Sequence, residues 1–363
     1  MQTVSSVLRG VRRVVNQVSI PALEFGAKGF TGTILRKISA ARGSKIDNPP
    51  IDQWRYPGSS PESYNPTEAV RVLSFLRANA EKIDRSAALF EDQESRDLYA
   101  DLWAYRALGP AHVRLPKANP EYMIKFAEAE RSRVGDSPFQ FPPFPLHRFA
   151  GPAGTVDCWL GNVVAALEEQ YWFSRNGVSI APRKGDTVID GGACFGDTSL
   201  LFAEAVGPSG HVHSFEPLAS QIEIFSHNLG ANQDLAARIT HHPFALDNKS
   251  GKQLFFSQGA GARSDDAGER VETRTIDDLR FEHVDYIKLD IEGAETACLE
   301  GARETIRRCR PKLAISAYHS MDDLASLPSL IHDIDPAYRL YLDHHTIHSE
   351  ETVLYAIHPE GSA

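Results

Sequence analysis

Two kinds of hydrophobic spacing divide this chain. Across residues 67–109 apolar positions recur every three or four residues, whereas from residue 186 onward they gather into short runs separated by polar and glycine-rich stretches. The first spacing predicts helices and the second predicts strands. Asn65, Pro66 and Glu68 supply a cap, a first-turn proline and a third-position acid for one helix. Val70, Leu73, Leu76 and Ala80 are expected along its buried face. A second helix is expected from Asp92 through "SRDLYADLWAYRALG" to Gly109. Near the N-terminus Val4, Val7, Leu8, Val11, Val14, Val15 and Val18 keep helical spacing, with Arg9, Arg12 and Arg13 between them, until Pro21 ends the pattern. Residues 47–66, rich in Pro, Ser, Asn and Gly, read as a linker. "PFQFPPFP" at 138–145 reads as a stiff aromatic loop.

Strands are expected at 187–190, 211–215, 238–243, 286–290, 312–317, 339–343 and 352–358, with helices between the first five. Such alternation predicts an α/β fold with a parallel, doubly wound sheet. The connection between the last two strands is too short for a parallel crossover, so they should form an antiparallel hairpin. Residues 251–275 look like a further β excursion with a flexible tip. The expected organisation is a basic amphipathic segment (1–45), a linker (46–66), a helical accessory region (67–150) and the α/β domain (151–363).

Composition narrows the partners. The 363 residues carry a net charge of -10, which argues against nucleic acid as a main partner. The first 45 residues hold eight Lys or Arg and one acid, Glu24, so the remainder is near -17. A basic amphipathic helix suits an anionic membrane surface, while the plainer readings are docking on its own chain or on a protein partner, or a partly disordered tail. No run of about 18 apolar residues predicts a transmembrane helix, and no secretory signal is evident. Cys158, Cys194, Cys298 and Cys309 form no C-x-x-C pair and match no zinc spacing. They read as reduced thiols, hence an expected cytoplasmic protein whose N-terminus can sit at the inner membrane surface. The pattern does not set an oligomeric state.

In a doubly wound sheet ligands sit beyond the carboxyl ends of the strands. After the first strand comes "VIDGGACFGD": Asp190, Gly191, Gly192, Ala193, Cys194, Phe195, Gly196 and Asp197. The glycines allow a sharp turn and a close approach to a ligand. Their offsets differ from G-x-G-x-x-G. Two carboxylates beside a pyrophosphate would repel it, whereas the ammonium and sulfonium of S-adenosylmethionine favour nearby acids. Asp197 also suits a plain helix cap. Glu216, which ends the second strand and precedes Pro217, stands where an acid can hold both hydroxyls of a ribose. "YIKLDIEGAE" brings Asp290, Glu292 and Glu295 to the same sheet edge. Acids also suit a helix N-terminus, which leaves a structural reading open for the last two.

"TVIDGGACFGDTSLLFAE", "HVHSFEP", "IDDLRFEHVDYIKLDIEGAE" and "AYHSMDDLASLP…YRLYLDHHTIHSEETVLYA" together resemble the FkbM family of S-adenosylmethionine-dependent methyltransferases over roughly residues 150–358. Cys194 departs from the pattern, for the family commonly has Asn there. The resemblance implies a class I, Rossmann-like methyltransferase fold and methyl transfer to a hydroxyl of a sugar, glycan or natural product. By position Asp190, Gly192 and Gly196 would border the methionine part of the cofactor, Glu216 would hold the ribose, Phe244 and Ala245 would flank the adenine, and Asp290 would lie beside the donor sulfur.

An alcohol acceptor must lose a proton, which calls for a base or a metal. His319, directly after the fifth strand, is the expected base, paired with Asp290. A divalent cation on Asp290 and His319 is open on this reading but is not indicated by a full acidic ligand set. His344, His345 and His348 fall on a strand end and hairpin loop, a placement that favours structural or rim roles over metal binding. Two competing readings remain at this level: an NAD-dependent oxidoreductase on a similar sheet, and a non-catalytic partner-binding protein retaining the fold.

Overall fold

In a computed structural model of the chain, the described residues are 29–56, 58, 66–256 and 268–361. The expected N-terminal valine helix, the Asn65 cap and the tip of the 251–275 excursion lie outside them. No helix among the described residues is long and apolar enough to cross a membrane.

The chain begins with helices α1 (Gly29–Arg42), α2 (Pro66–Ala78), α3 (Ala80–Ala88), α4 (Gln93–Leu108) and α5 (Pro120–Arg131). Helix α4 matches its expected bounds for the expected reasons. The Asp92 carboxylate accepts from the Ser95 amide at 2.7 Å, and Gly109 follows the last turn at φ 75°. In α2 the buried face differs from the one expected. Ala69, Val72 and Leu76 are buried, whereas Val70 is 49% exposed. Helical period alone left two neighbouring stripes open, and packing against α4 selects one. Helix α1, which falls inside the expected basic segment, buries Ile34, Leu35 and Ile38 against that helical layer.

A three-stranded antiparallel sheet follows: β1 (Arg133–Asp136), β2 (Leu146–Gly151) and β3 (Gly154–Trp159). The expected boundary at 150/151 therefore cuts a hairpin. Helix α6 (Leu160–Leu167) and the small hairpin β4 (Phe173–Arg175) and β5 (Val178–Ile180) lead into the main sheet.

The main sheet contains β6 (Thr187–Gly191), β7 (His211–Phe215), β8 (Ile239–His242), β12 (Tyr286–Leu289), β13 (Lys312–Ser316), β14 (Arg339–His344) and β15 (Thr352–Ile357) in the order β14-β15-β13-β12-β6-β7-β8. Pairings from β13 through β12, β6 and β7 to β8 are parallel, and β15 runs antiparallel to both β13 and β14. All seven expected strands and the terminal hairpin are thus present. Helices α7 (Asp197–Val206), α8 (Ala219–Ala231), α9 (Gln233–Ala236), α10 (Glu295–Glu300), α11 (Arg303–Cys309) and α12 (Met321–Ile334) complete the layers. Strands β9 (Ala245–Leu246), β10 (Gln253–Phe256) and β11 (Glu269–Arg274) form the excursion as a separate small sheet.

Alternation along the strands sends residues to opposite faces. Ile287 and Leu289 join the core shared with α10, α12 and the N-terminal helices, while Tyr286 joins Val188, Phe202 and Val212 on the other face. One continuous core therefore ties the N-terminal helices to the sheet. Strand order reverses at β6, which lies between β7 and β12, so a crevice opens at the carboxyl ends of those strands.

Candidate functional site

The turn after β6 is built by close approaches. Gly192 has φ 78°, and a Cβ there would lie 1.9 Å from the Asp290 carbonyl oxygen. Only glycine fits between the ends of β6 and β12. The amides of Gly192 and Ala193 both donate to the Phe215 carbonyl at 3.0 Å, which fastens the turn to β7. Gly196 has φ 81° and caps α7. Cys194 sits at φ 46°, a left-handed conformation that Asn and Gly adopt more readily than Cys. That explains why Asn suits this position and why its replacement stands out in the sequence. Burial pushes the Cys194 thiol well above its ordinary range.

Asp190 is fully buried. One oxygen pairs with Lys288 Nζ at 3.0 Å, and the other accepts from Thr198 Oγ1 at 2.9 Å and Ser199 Oγ at 2.6 Å. Lys288 Nζ in turn donates to the carbonyls of Gly191 (3.1 Å) and Gly192 (2.8 Å). Burial works against the Lys288 charge, but Asp190 and Asp290 outweigh it and hold the ammonium above its ordinary range. This corrects the expectation that Asp190 borders the cofactor. Its carboxylate is spent on the scaffold of the turn and lines neither lobe of the crevice.

That crevice has two lobes meeting at Gly192, Cys194, Asp290 and Glu292. One, of about 240 Å³, is lined by Glu216, Pro217, Phe244 and Ala245 among others. Glu216 accepts from the amides of Cys194 and Leu218, each at 3.0 Å. With its amide nitrogen turned to these acceptors, Gln221 donates to both carboxylate oxygens at 2.6 and 2.8 Å. Burial pushes Glu216 up to about 8 despite these donors. The Arg274 guanidinium covers the Phe244 ring at 4.9 Å, stiffening that wall.

The other lobe, of about 170 Å³, is more polar, with Asn162, Asp197, Lys288 and Glu351 in its wall. Asp197 accepts from Asn162 Nδ2 at 3.1 Å, and burial pushes it up to about 6. Arg55 reaches this lobe from the stretch whose composition marks a linker. Its Nη1 pairs with Glu351 at 2.7 Å, and its guanidinium lies 5.1 Å from the Trp159 ring. Asp52 anchors the stretch: its amide donates to His348 Nε2 at 3.1 Å, and its carboxylate accepts from the amides of Trp54 and Arg55. Arg55, Asn162 and Tyr171 had no signal in the sequence, because each stands outside the strand-end motifs. Lys288 carried one, a lone charge inside an apolar strand.

At the seam Asp290 accepts from Tyr171 Oη at 2.8 Å and Tyr318 Oη at 3.0 Å. Burial alone would raise this carboxyl, but the His319 and Lys288 cations and the two phenols outweigh it and hold it below the ordinary range. Glu292, pushed up to about 7 by burial and by Asp290, borders both lobes from a left-handed backbone at φ 58°. His319 stands behind them. Its Nε2 is 3.4 Å from Asp290 Oδ1 and 3.6 Å from Glu292 Oε2, and its Nδ1 is 3.1 Å from Glu295 Oε1. Burial would lower its pKa, yet these carboxylates push it up to about 9. The ring lines neither lobe, and the carboxylates around it favour its charged form, which opposes the base role expected of His319.

The remaining expected residues are placed as follows. Gly191, Ala193 and Gly196 shape the turn from behind. Gly192, Glu216, Pro217, Phe244, Ala245 and Asp290 come together around the larger lobe. His344, His345 and His348 are buried with separate partners, Thr352, the Tyr355 hydroxyl and the Tyr105 hydroxyl, and do not converge.

Residues 190–345 match the sequence model of the methyltransferase FkbM domain. This segment is an FkbM methyltransferase domain. Among solved structures, methyltransferase FkbM from Methylobacillus flagellatus KT is similar at 22% identity and a TM-score of 0.52, over 78% of this chain and 60% of that one. A putative rRNA-methylase from Clostridium thermocellum aligns at 13% identity and a TM-score of 0.35, over 49% of this chain and 88% of its own. A SAM-dependent O-methyltransferase from Thermotoga maritima aligns at 14% identity and a TM-score of 0.32, over 58% and 84%. A search of curated proteins gave no match. The FkbM domain holds the whole seam and the larger lobe's strand ends. Arg55, Asn162 and Tyr171 lie upstream of the matched segment and Glu351 downstream, so the polar lobe is completed by flanking chain.

Proposed function

We propose that the chain transfers a methyl group from S-adenosylmethionine to a hydroxyl of a small acceptor, a sugar, glycan or natural product. The observation that carries this reading is the two-lobed crevice at the strand-order reversal, with Glu216 in the larger lobe and Asp290 at the seam. The adenosine part fits the larger, more apolar lobe, where Glu216 meets the ribose hydroxyls. The methionine chain passes the Gly192 turn, and the sulfonium comes to rest near Asp290. The acceptor fills the polar lobe, its oxygen aimed across the seam. Methyl transfer is a displacement at an activated carbon, so the protein's main task is to align oxygen, methyl and sulfur. Ionised Asp290, held by two phenols, stabilises the sulfonium and helps orient the acceptor hydroxyl.

Calorimetry with S-adenosylmethionine, its demethylated product and NAD tests the proposal. Micromolar binding of the first two and none of NAD is expected, with Glu216→Ala weakening both. Tight NAD binding, or no binding of any of the three, refutes it.

A further inference from the structure

Beside the polar lobe Asp290 belongs to a cluster whose other members the alignment of donor and acceptor leaves unused. His319 has a side chain only 5% exposed, and neither ring nitrogen makes a hydrogen bond of proper alignment. Glu295 is fully buried, and its Oε2 also lacks a partner. Buried polar atoms in folded proteins are rarely left this way, and a bound ion is one of the standard reasons. Asp290, Glu295 and His319 each offer a donor atom, all within 4.8 Å of one another, the one such group among the described residues.

The spacing suits a cation. Ligands bound at about 2.1 Å stand roughly 3.0–3.5 Å apart around a metal. His319 Nε2 lies 3.4 Å from Asp290 Oδ1 and 3.6 Å from Glu292 Oε2. On the far side of the ring Glu295 stands 3.1 Å from Nδ1, and its Oε1 is fixed by the Ile291 amide at 2.8 Å. The phenols of Tyr171 and Tyr318 hold Asp290 in place from behind. Charge agrees: once His319 gives up its proton to bind a metal, the Asp290 and Glu295 carboxylates match the charge of a divalent cation.

We propose that Asp290, Glu295 and His319, whose donor atoms converge, bind a divalent first-row cation beside the seam. Mixed imidazole and carboxylate donors suit Mn²⁺, and Mg²⁺ is its hard-oxygen competitor. Such an ion lies beside the acceptor's entry and can hold its hydroxyl and favour loss of the proton, a consequence that rests on the methyl-transfer reading. The binding site itself does not depend on that reading.

The test is a Mn²⁺ titration of chelator-treated full-length protein, without S-adenosylmethionine, followed by electron paramagnetic resonance. One saturable Mn²⁺ per chain is expected, with electron-spin-echo modulation from a directly bound imidazole nitrogen. His319→Asn and Asp290→Asn should each weaken binding at least tenfold, with melting curves showing that the variants remain folded. Glu295→Gln should do the same. Glu216→Ala should leave it unchanged while losing S-adenosylmethionine, so failure of one proposal is read separately from failure of the other. No saturable binding up to about 5 mM Mn²⁺, weaker than even the loosest protein sites, overturns the site. So does binding without nitrogen modulation, or unchanged binding in folded His319→Asn.

Discussion

Lys288→Met should destabilise the protein far more than the loss of one surface charge would. The ammonium pairs with fully buried Asp190 at 3.0 Å and donates to the Gly191 and Gly192 carbonyls. Removing one partner of a buried pair leaves the other charge stranded, at about 3–5 kcal/mol. With an unfolding entropy of about 2.1 cal/mol/K per residue, 363 residues give a fall in Tm of about 5 °C for a loss of about 4 kcal/mol. Adding Asp190→Asn should restore at least about 2 kcal/mol, because the stranded charge disappears while an amide oxygen can still accept from Thr198 and Ser199. Thermal and urea unfolding of wild type, both single variants and the double variant measure this. A Lys288→Met midpoint within about 1 °C of wild type would refute the reasoning, as would a double variant no better than the sum of its parts. The same set separates two roles for Asp190. If it only scaffolds the turn, folded Asp190→Asn keeps its S-adenosylmethionine affinity within about tenfold. A loss far beyond that would mean direct cofactor contact.

Gly192→Ala should cost more than about 3 kcal/mol, because its Cβ would meet the Asp290 carbonyl at 1.9 Å in a backbone conformation that disfavours alanine; a midpoint near wild type contradicts this. Glu216 is raised from 4.5 to about 8, so it is largely neutral at pH 7 and ionises as pH rises through 8. Ribose hydroxyls donate best to the ionised form, so adenosine affinity should climb roughly tenfold per unit up to pH 8 and then level off. A flat profile between pH 6 and 9 by calorimetry would show that Glu216 does not titrate in this range. Charge reversal at Arg9, Arg12 and Arg13 should abolish flotation with anionic lipid vesicles, and equal flotation of reversed and wild-type chains would remove the membrane-surface expectation.

Much of the fold was legible because strand and helix periods are local properties. The seven strands, the antiparallel ending and the exact span of α4 follow from alternation, loop length and capping residues that sit next to one another in the chain. Glu216 and Asp290 were legible for a related reason: in a doubly wound sheet, the residue after a strand faces the crevice wherever that strand sits. The same logic misjudged Asp190. Its position in the sequence puts it at the crevice edge, but the side chain turns inward because Lys288, two strands' worth of motif away in the chain, comes up beside it on β12.

His319 shows the limit most plainly. A histidine after a strand reads as a base, since its ordinary pKa lies near neutrality. Only the folded chain brings Asp290, Glu292 and Glu295 around its ring and turns it into a cation or a ligand. Arg55 makes the complementary point, for it reaches the polar lobe from a stretch with the composition of a linker and pairs there with Glu351, while His348 holds the nearby Asp52 amide, both nearly 300 residues away. The sequence determined the sheet, its edge and which acids end the strands at the crevice, because these depend on residues close together in the chain. Tertiary structure decided which carboxylates are ligand-facing and which are structural, because protonation and orientation depend on charges that meet only when distant segments pack into a medium with little water to screen them.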